Sequence, residues 1–150
     1  MQNRELAKTY FKLLTSVDWS GEVLVKGLRE GLNKFLTNAF LAIQKGKNKY
    51  HKTHYVSPLA LQKLNTGDHK GLIFEHIVPK TKYIQRPCEE KARLGQLSEK
   101  FIKTKLDAYW KLATITKDED QRLNMLSMSD DWDGKEKIHI EKLSFFQKGE

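Results

Sequence analysis

Ten residues near the middle of the chain, Gly71-Leu72-Ile73-Phe74-Glu75-His76-Ile77-Val78-Pro79-Lys80, restrict the fold more than any other stretch. Leu72, Ile73 and Phe74 lead into an acid and an imidazole, Ile77 and Val78 follow, and Pro79 interrupts. Apolar and β-branched residues favour a strand, and proline has no N–H to give a ladder, so the strand ends there or lies at a sheet edge. The plain reading of Glu75 and His76 is two polar residues on the wet face of that strand. A matching piece downstream argues for more.

Ala113-Thr114-Ile115-Thr116 reads as a second short strand, and Thr116-Lys117-Asp118-Glu119 spells a capping box with Thr116 as N-cap. A helix is therefore expected from there to about Met125 or Leu126, with Leu123 and Leu126 on its buried side. Asp120 and Asn124, four residues apart, point from one face of it. Two strands and a helix, with Glu-His ending the first strand and oxygen donors on the helix, suit one divalent metal and one general base. The expected class is α+β: a mostly helical domain carrying two short antiparallel strands and a helix.

Glu75-His76-Ile77-Val78-Pro79 resembles the acid-His-hydrophobic-x-Pro motif of the HNH nucleases, the ββα-metal or His-Me finger group. The chain is most similar to small uncharacterised bacterial and phage proteins of that type. In those, a Tyr-Val-Ser-Pro-Leu-Ala lead, here Tyr55 to Ala60, precedes the motif. A Tyr-Trp-x-Leu-Ala-Thr-hydrophobic-Thr-Lys-x-Glu-Asp segment follows it, here Tyr109 to Asp120, and then a Trp-Asp-Gly turn, here Trp132 to Gly134. The resemblance implies that His76 activates water and that Glu75 is a metal ligand, with Asp120 standing where many HNH proteins place their last metal-binding His. Asn124 is a further or outer ligand in this reading. Two departures stand out: Lys111 replaces the Asn that often precedes the second strand, and there are no zinc-knuckle cysteines.

The implied function is metal-dependent hydrolysis of phosphodiester bonds, with DNA as the expected substrate and RNA left open. Oxygen ligands select Mg²⁺ or Mn²⁺, and HNH sites also accept Ni²⁺ or Zn²⁺. Lys80, Lys82 and Arg86 would line the entrance, and Lys117 and Arg122 are further phosphate clamps. Lys47 and Lys49, in a basic loop around Tyr50, could track a phosphate backbone while the tyrosine stacks a base. The alternative is a catalytically inactive module of the same fold that only binds nucleic acid.

Charge agrees with a polyanionic partner: 27 Lys and Arg against 19 Asp and Glu leave a formal net charge of +8. The one cysteine, Cys88, excludes an intramolecular disulfide and suits a reducing cytoplasm, where it reads as an ordinary structural thiol. No segment has the length or apolarity of a membrane span, so no membrane partner is expected.

Three regions are expected: helical residues 1–54, a metal-binding core over 55–137 with a helical insertion, and a tail over 138–150. In the first, a short helix from Glu5 to Leu14 precedes a longer one from about Glu22 to Gln44, whose stripe includes Val25, Leu28, Leu36, Phe40 and Ile43. Core packing is the ordinary use of such a stripe, and a homodimer interface is the other. Ser57 and Pro58 open a short helix. In the insertion, Pro87 and Gly95 punctuate a loop before a helix capped by Ser98. His51 and His54 have a spacing that binds metal on a helix but no acidic or Cys partner nearby. The acidic turn Ser129 to Gly134 lacks the alternation of a calcium loop. The tail's periodicity fits strand and helix equally.

Overall fold

A computed structural model describes residues 2–46, 48–123 and 146–147. The protein is mixed α and β, mostly helical, with one small sheet. It divides into a helical unit, Met1–Gln44 with Pro79–Trp110, and a sheet unit, Lys45–Val78 with Lys111–Glu150. The division therefore falls elsewhere than the expected 1–54, 55–137 and 138–150: the insertion between the two motif strands belongs with the N-terminal helices.

In the helical unit, α1 (Gln2–Thr15) buries Leu6, Ala7, Tyr10 and Leu14 along one stripe. It packs on α6 (Glu99–Tyr109), which buries Ile102 and Leu106. Ser98 caps α6 by accepting from the Phe101 N–H at 3.1 Å, as its sequence signals. The single helix expected over 22–44 is instead two, α2 (Glu22–Leu32) and α3 (Phe35–Ile43). The break frees two carbonyls, and side chains take them: Gln85 Nε2 donates to the Leu32 carbonyl at 3.4 Å, and Lys80 Nζ to the Asn33 carbonyl and to Asn33 Oδ1. Those partners are far away in sequence, so periodicity alone could not reveal them. The stripe is only partly used. Val25, Leu36 and Phe40 are buried, Phe40 edge-on to Trp110 at 5.6 Å, whereas Leu28 is exposed.

The loop expected around Pro87 is also helical. A π-helical turn, Thr81–Gln85, runs into α5 (Arg86–Arg93), with the Arg86 N–H reaching the Thr81 carbonyl. Pro87 falls in the first turn of α5, where a missing N–H costs nothing. Gly95, at φ +67°, closes α5 with its N–H on the Ala92 carbonyl and the Gln96 N–H on that of Lys91, a pairing that needs the left-handed residue. Cys88 is fully buried here, and burial pushes its thiol up to about 12, which keeps it an unreactive structural side chain near neutral pH.

The sheet unit has strand order β2-β3-β1-β4, made of β1 (Tyr55–Val56), β2 (Leu72–His76), β3 (Leu112–Thr116) and β4 (Phe146–Gln147). β2 and β3 are antiparallel, pairing Glu75 with Ala113 and His76 with Leu112. β1 runs parallel to β3, and β4 antiparallel to β1. Two residues are too few for a period, which is why β1 was illegible. β4 gives the tail a strand at 146–147.

Alternation gives the sheet two faces. Ile73, Ile77, Ala113 and Ile115 pack with Tyr55 on one. Leu72 and Val56 lie on the other beneath α4 (Pro58–Asn65), against Ala60 and Leu64.

Helix α7 (Lys117–Leu123) starts at the expected capping box: the Thr116 N–H donates to Glu119 Oε1 at 3.0 Å and the Glu119 N–H to Thr116 Oγ1 at 3.3 Å. The same Oε1 accepts from Ser57 Oγ at 2.5 Å, and that hydroxyl caps α4 by accepting from the Ala60 N–H. One buried carboxylate thus joins the starts of two helices. Glu119→Ala strands the Ser57 hydroxyl and the Thr116 N–H, and is expected to cost about 2–3 kcal/mol. A urea midpoint lowered at unchanged slope is the expected reading; an unchanged midpoint would contradict the link.

Candidate metal centre

Two carboxylates meet where β2 approaches α7. Glu75 lies on the Ile73 and Ile77 face by strand alternation and is hydrogen-bonded to Asp120 of α7. Its carboxyl is pushed up to about 8, first by burial and then by the hydrogen bond to Asp120 and that group's charge. A carboxyl that is both desolvated and set against a second carboxyl resists ionising, because a charge there is neither hydrated nor neutralised. Desolvated oxygens held in this way suit a hard divalent cation, which would take the place of the proton.

His76 follows Glu75 and is half-buried at the last position of β2. Successive strand residues project to opposite faces, so its imidazole lies on the Leu72 and Phe74 face, away from the carboxylate pair. The ladder runs one bond further, the Ile77 N–H donating to the Lys111 carbonyl at 2.9 Å. Among the described residues no group of three or more His, Cys, Asp and Glu side chains is placed to hold a metal. Glu75 and Asp120 are brought together, while His76 stands beside them in sequence and on the other side of the strand. Asn124 lies outside the described residues, as do Lys47 and the acidic turn from Ser129 to Gly134.

The basic residues divide between the units. Lys117 and Arg122 are exposed on α7. Lys80, Lys82 and Arg86 belong to the helical unit. Lys80 is half-buried and held by Asn33, and burial lowers its ammonium below the usual lysine range. Lys82 is exposed, its ammonium 5.6 Å from the centre of the Tyr83 ring. Arg86 borders a cavity of about 250 Å³ together with Arg29, Asn33, Gln85 and Glu89.

His54 is occupied by the backbone. Its N–H donates to the Leu112 carbonyl at 2.8 Å, and its Nδ1 accepts the Leu112 N–H at 3.1 Å. The backbone N–H of His54 and its imidazole thus each hold Leu112, the residue paired with His76. Nothing in local spacing signals this role, because the partner is 58 residues away.

No protein-family profile, no curated protein and no solved structure matches the chain.

Proposed function

We propose that this protein is a metal-dependent phosphodiesterase of the HNH type, acting on DNA as an endonuclease. The observation that carries the reading is the Glu75–Asp120 carboxylate pair, delivered by an antiparallel strand pair and the capped helix after it. Glu75 and Asp120 would hold one divalent cation, Mg²⁺ or Mn²⁺ by the hardness of their oxygens. When bound, the cation stabilises negative charge on the scissile phosphate and the departing oxygen. His76 takes the proton from the attacking water in this scheme, through an imidazole that is neutral in the acting form. Lys117 and Arg122, both exposed on α7, would meet flanking phosphates.

One observation favours a second reading. The imidazole and the carboxylate pair occupy opposite faces of β2, an arrangement that also suits a module of the same fold that binds nucleic acid without cutting it. Metal dependence separates the two. Supercoiled plasmid incubated with the purified protein is expected to be nicked or linearised in Mg²⁺ or Mn²⁺ and left intact in EDTA. Salt-sensitive binding with no cutting under any of these conditions would transfer the conclusion to the binding module.

A further inference from the structure

The face of β2 that carries His76 also carries aromatic rings, and they come from three separate pieces of chain. Leu72, Phe74 and His76 share that face by alternation. Their surroundings open toward the imidazole: Leu72 is buried under α4, whereas Phe74 and His76 are half-buried. Tyr50, in the short 3-10 turn Lys49–His51, stacks on Phe74 with ring centres 5.2 Å apart and planes at 30°. His69, from the turn before β2, lies 6.0 Å from Tyr50 and shares a hydrogen bond with Asn48. Above this strip stands the ammonium of exposed Lys49, 5.1 Å from the centre of the Tyr50 ring and 6.0 Å from that of Phe74.

Apolar packing explains why Tyr50 and Phe74 touch, but it does not require a cation over the rings. Charge supplies the second argument. Among the described residues of the two segments that bring Tyr50 and His69, 45–52 and 68–70, stand Lys45, Lys49, Lys52 and Lys70 and one acid, Asp68, which is paired with Lys63 at 3.1 Å. Aromatic faces bordered by cations suit a polymer that alternates flat bases with phosphates. In a duplex the base faces are already stacked on their neighbours and only edges are offered in the grooves; a ring can stack only on a base that has left the pair.

We propose that this strip is a stacking platform for unpaired nucleotides, so that the strand presented to His76 is single-stranded where it meets Tyr50 and Phe74. The inference rests on the phosphodiesterase reading and narrows its substrate. Lys49 serves the phosphate next to the stacked base, and the platform aligns the backbone along the β2 face that ends in the imidazole. DNA and RNA share this chemistry, so the sugar is an outcome of the test.

The test is binding of the full chain, in EDTA so that nothing is cut, to labelled dU12, rU12 and a 12-base-pair duplex, followed by anisotropy. The single strands are expected to bind at least tenfold tighter than the duplex, and rU12 compared with dU12, which differ only in the 2′-hydroxyl, reports which sugar the site prefers. Tyr50→Leu, which keeps apolar bulk, is expected to weaken single-strand binding about tenfold and duplex binding much less. Equal or tighter duplex binding, or equal losses on both forms, would overturn the platform, as would no binding of any oligonucleotide. Should Tyr50→Leu fail to fold, wild-type protein crosslinked to a strand containing 5-iodouracil decides: attachment at Tyr50 or Phe74 supports the platform, and attachment only elsewhere overturns it. Ring-dependent binding without metal-dependent cutting would leave the platform standing and remove the phosphodiesterase reading. Cutting of duplex that is indifferent to Tyr50→Leu would do the reverse.

Discussion

His76→Ala is expected to lower metal-dependent plasmid cleavage by about 10²–10⁴-fold, the usual contribution of a positioned general base. Stability and metal affinity should hardly move, because the imidazole is half-buried at the end of an edge strand and the carboxylate pair lies on the opposite face. The effect should therefore appear in turnover at saturating metal, with the thermal midpoint and the metal titration superimposing on those of the wild type. A variant that cuts as fast as the wild type would remove His76 from the reaction. Equal losses in cleavage and in stability would make it a structural residue instead.

Glu75→Gln is expected to do two opposite things. In the folded protein the Glu75 carboxyl sits at about 8, against an ordinary value of 4.5. Between those values the folded state keeps a proton that the unfolded chain has lost. The metal-free protein should therefore lose stability as pH rises from about 4.5 to about 8. Glutamine cannot ionise, so the variant should escape this loss and be the more stable protein at pH 9 in EDTA. In exchange it should lose more than about tenfold in Mn²⁺ affinity, having given up a charged ligand. Because the cation replaces the proton, wild-type affinity should rise by up to tenfold per pH unit below about pH 8 and level off above it. Urea midpoints at pH 5, 7 and 9, paired with Mn²⁺ titrations at the same pH values, measure both effects. A flat wild-type stability profile would mean that Glu75 is not held protonated by its surroundings, and unchanged Mn²⁺ affinity in the variant would remove Glu75 as a ligand.

What could be read in advance was what local chemistry determines. The capping box at Thr116 and Glu119, the Ser57 and Ser98 caps, and the strand that stops short of Pro79 all depend on residues within a few positions of one another. Glu75 and Asp120 were paired instead by the order of strand, strand and helix and by the family resemblance, and the fold brings the two into contact. What stayed hidden depends on remote partners. The division of residues 22–44 into two helices rests on Lys80 and Gln85, and the clamp on Leu112 rests on His54. Pro87 misled because proline is equally at home in a loop and in a first helical turn. The opposition of Glu75 and His76 was implicit in strand alternation, but adjacency in sequence suggests a shared site and conceals it.

The bond from the Ile77 N–H to the Lys111 carbonyl, at 2.9 Å, means that the chain leaves the sheet unit and re-enters it at neighbouring points. In space, β2 and β3 form an ordinary hairpin; in sequence, residues 79–110 hang from its tip. A tight turn of a few residues between Val78 and Lys111 would close the same hairpin. The carboxylate pair, the imidazole and the aromatic strip all lie on the side that such a turn retains. The side chains named in the proposed reaction and in the aromatic strip therefore all lie outside residues 79–110, although no uninterrupted fragment of the chain contains the whole sheet unit without the helices between its two parts.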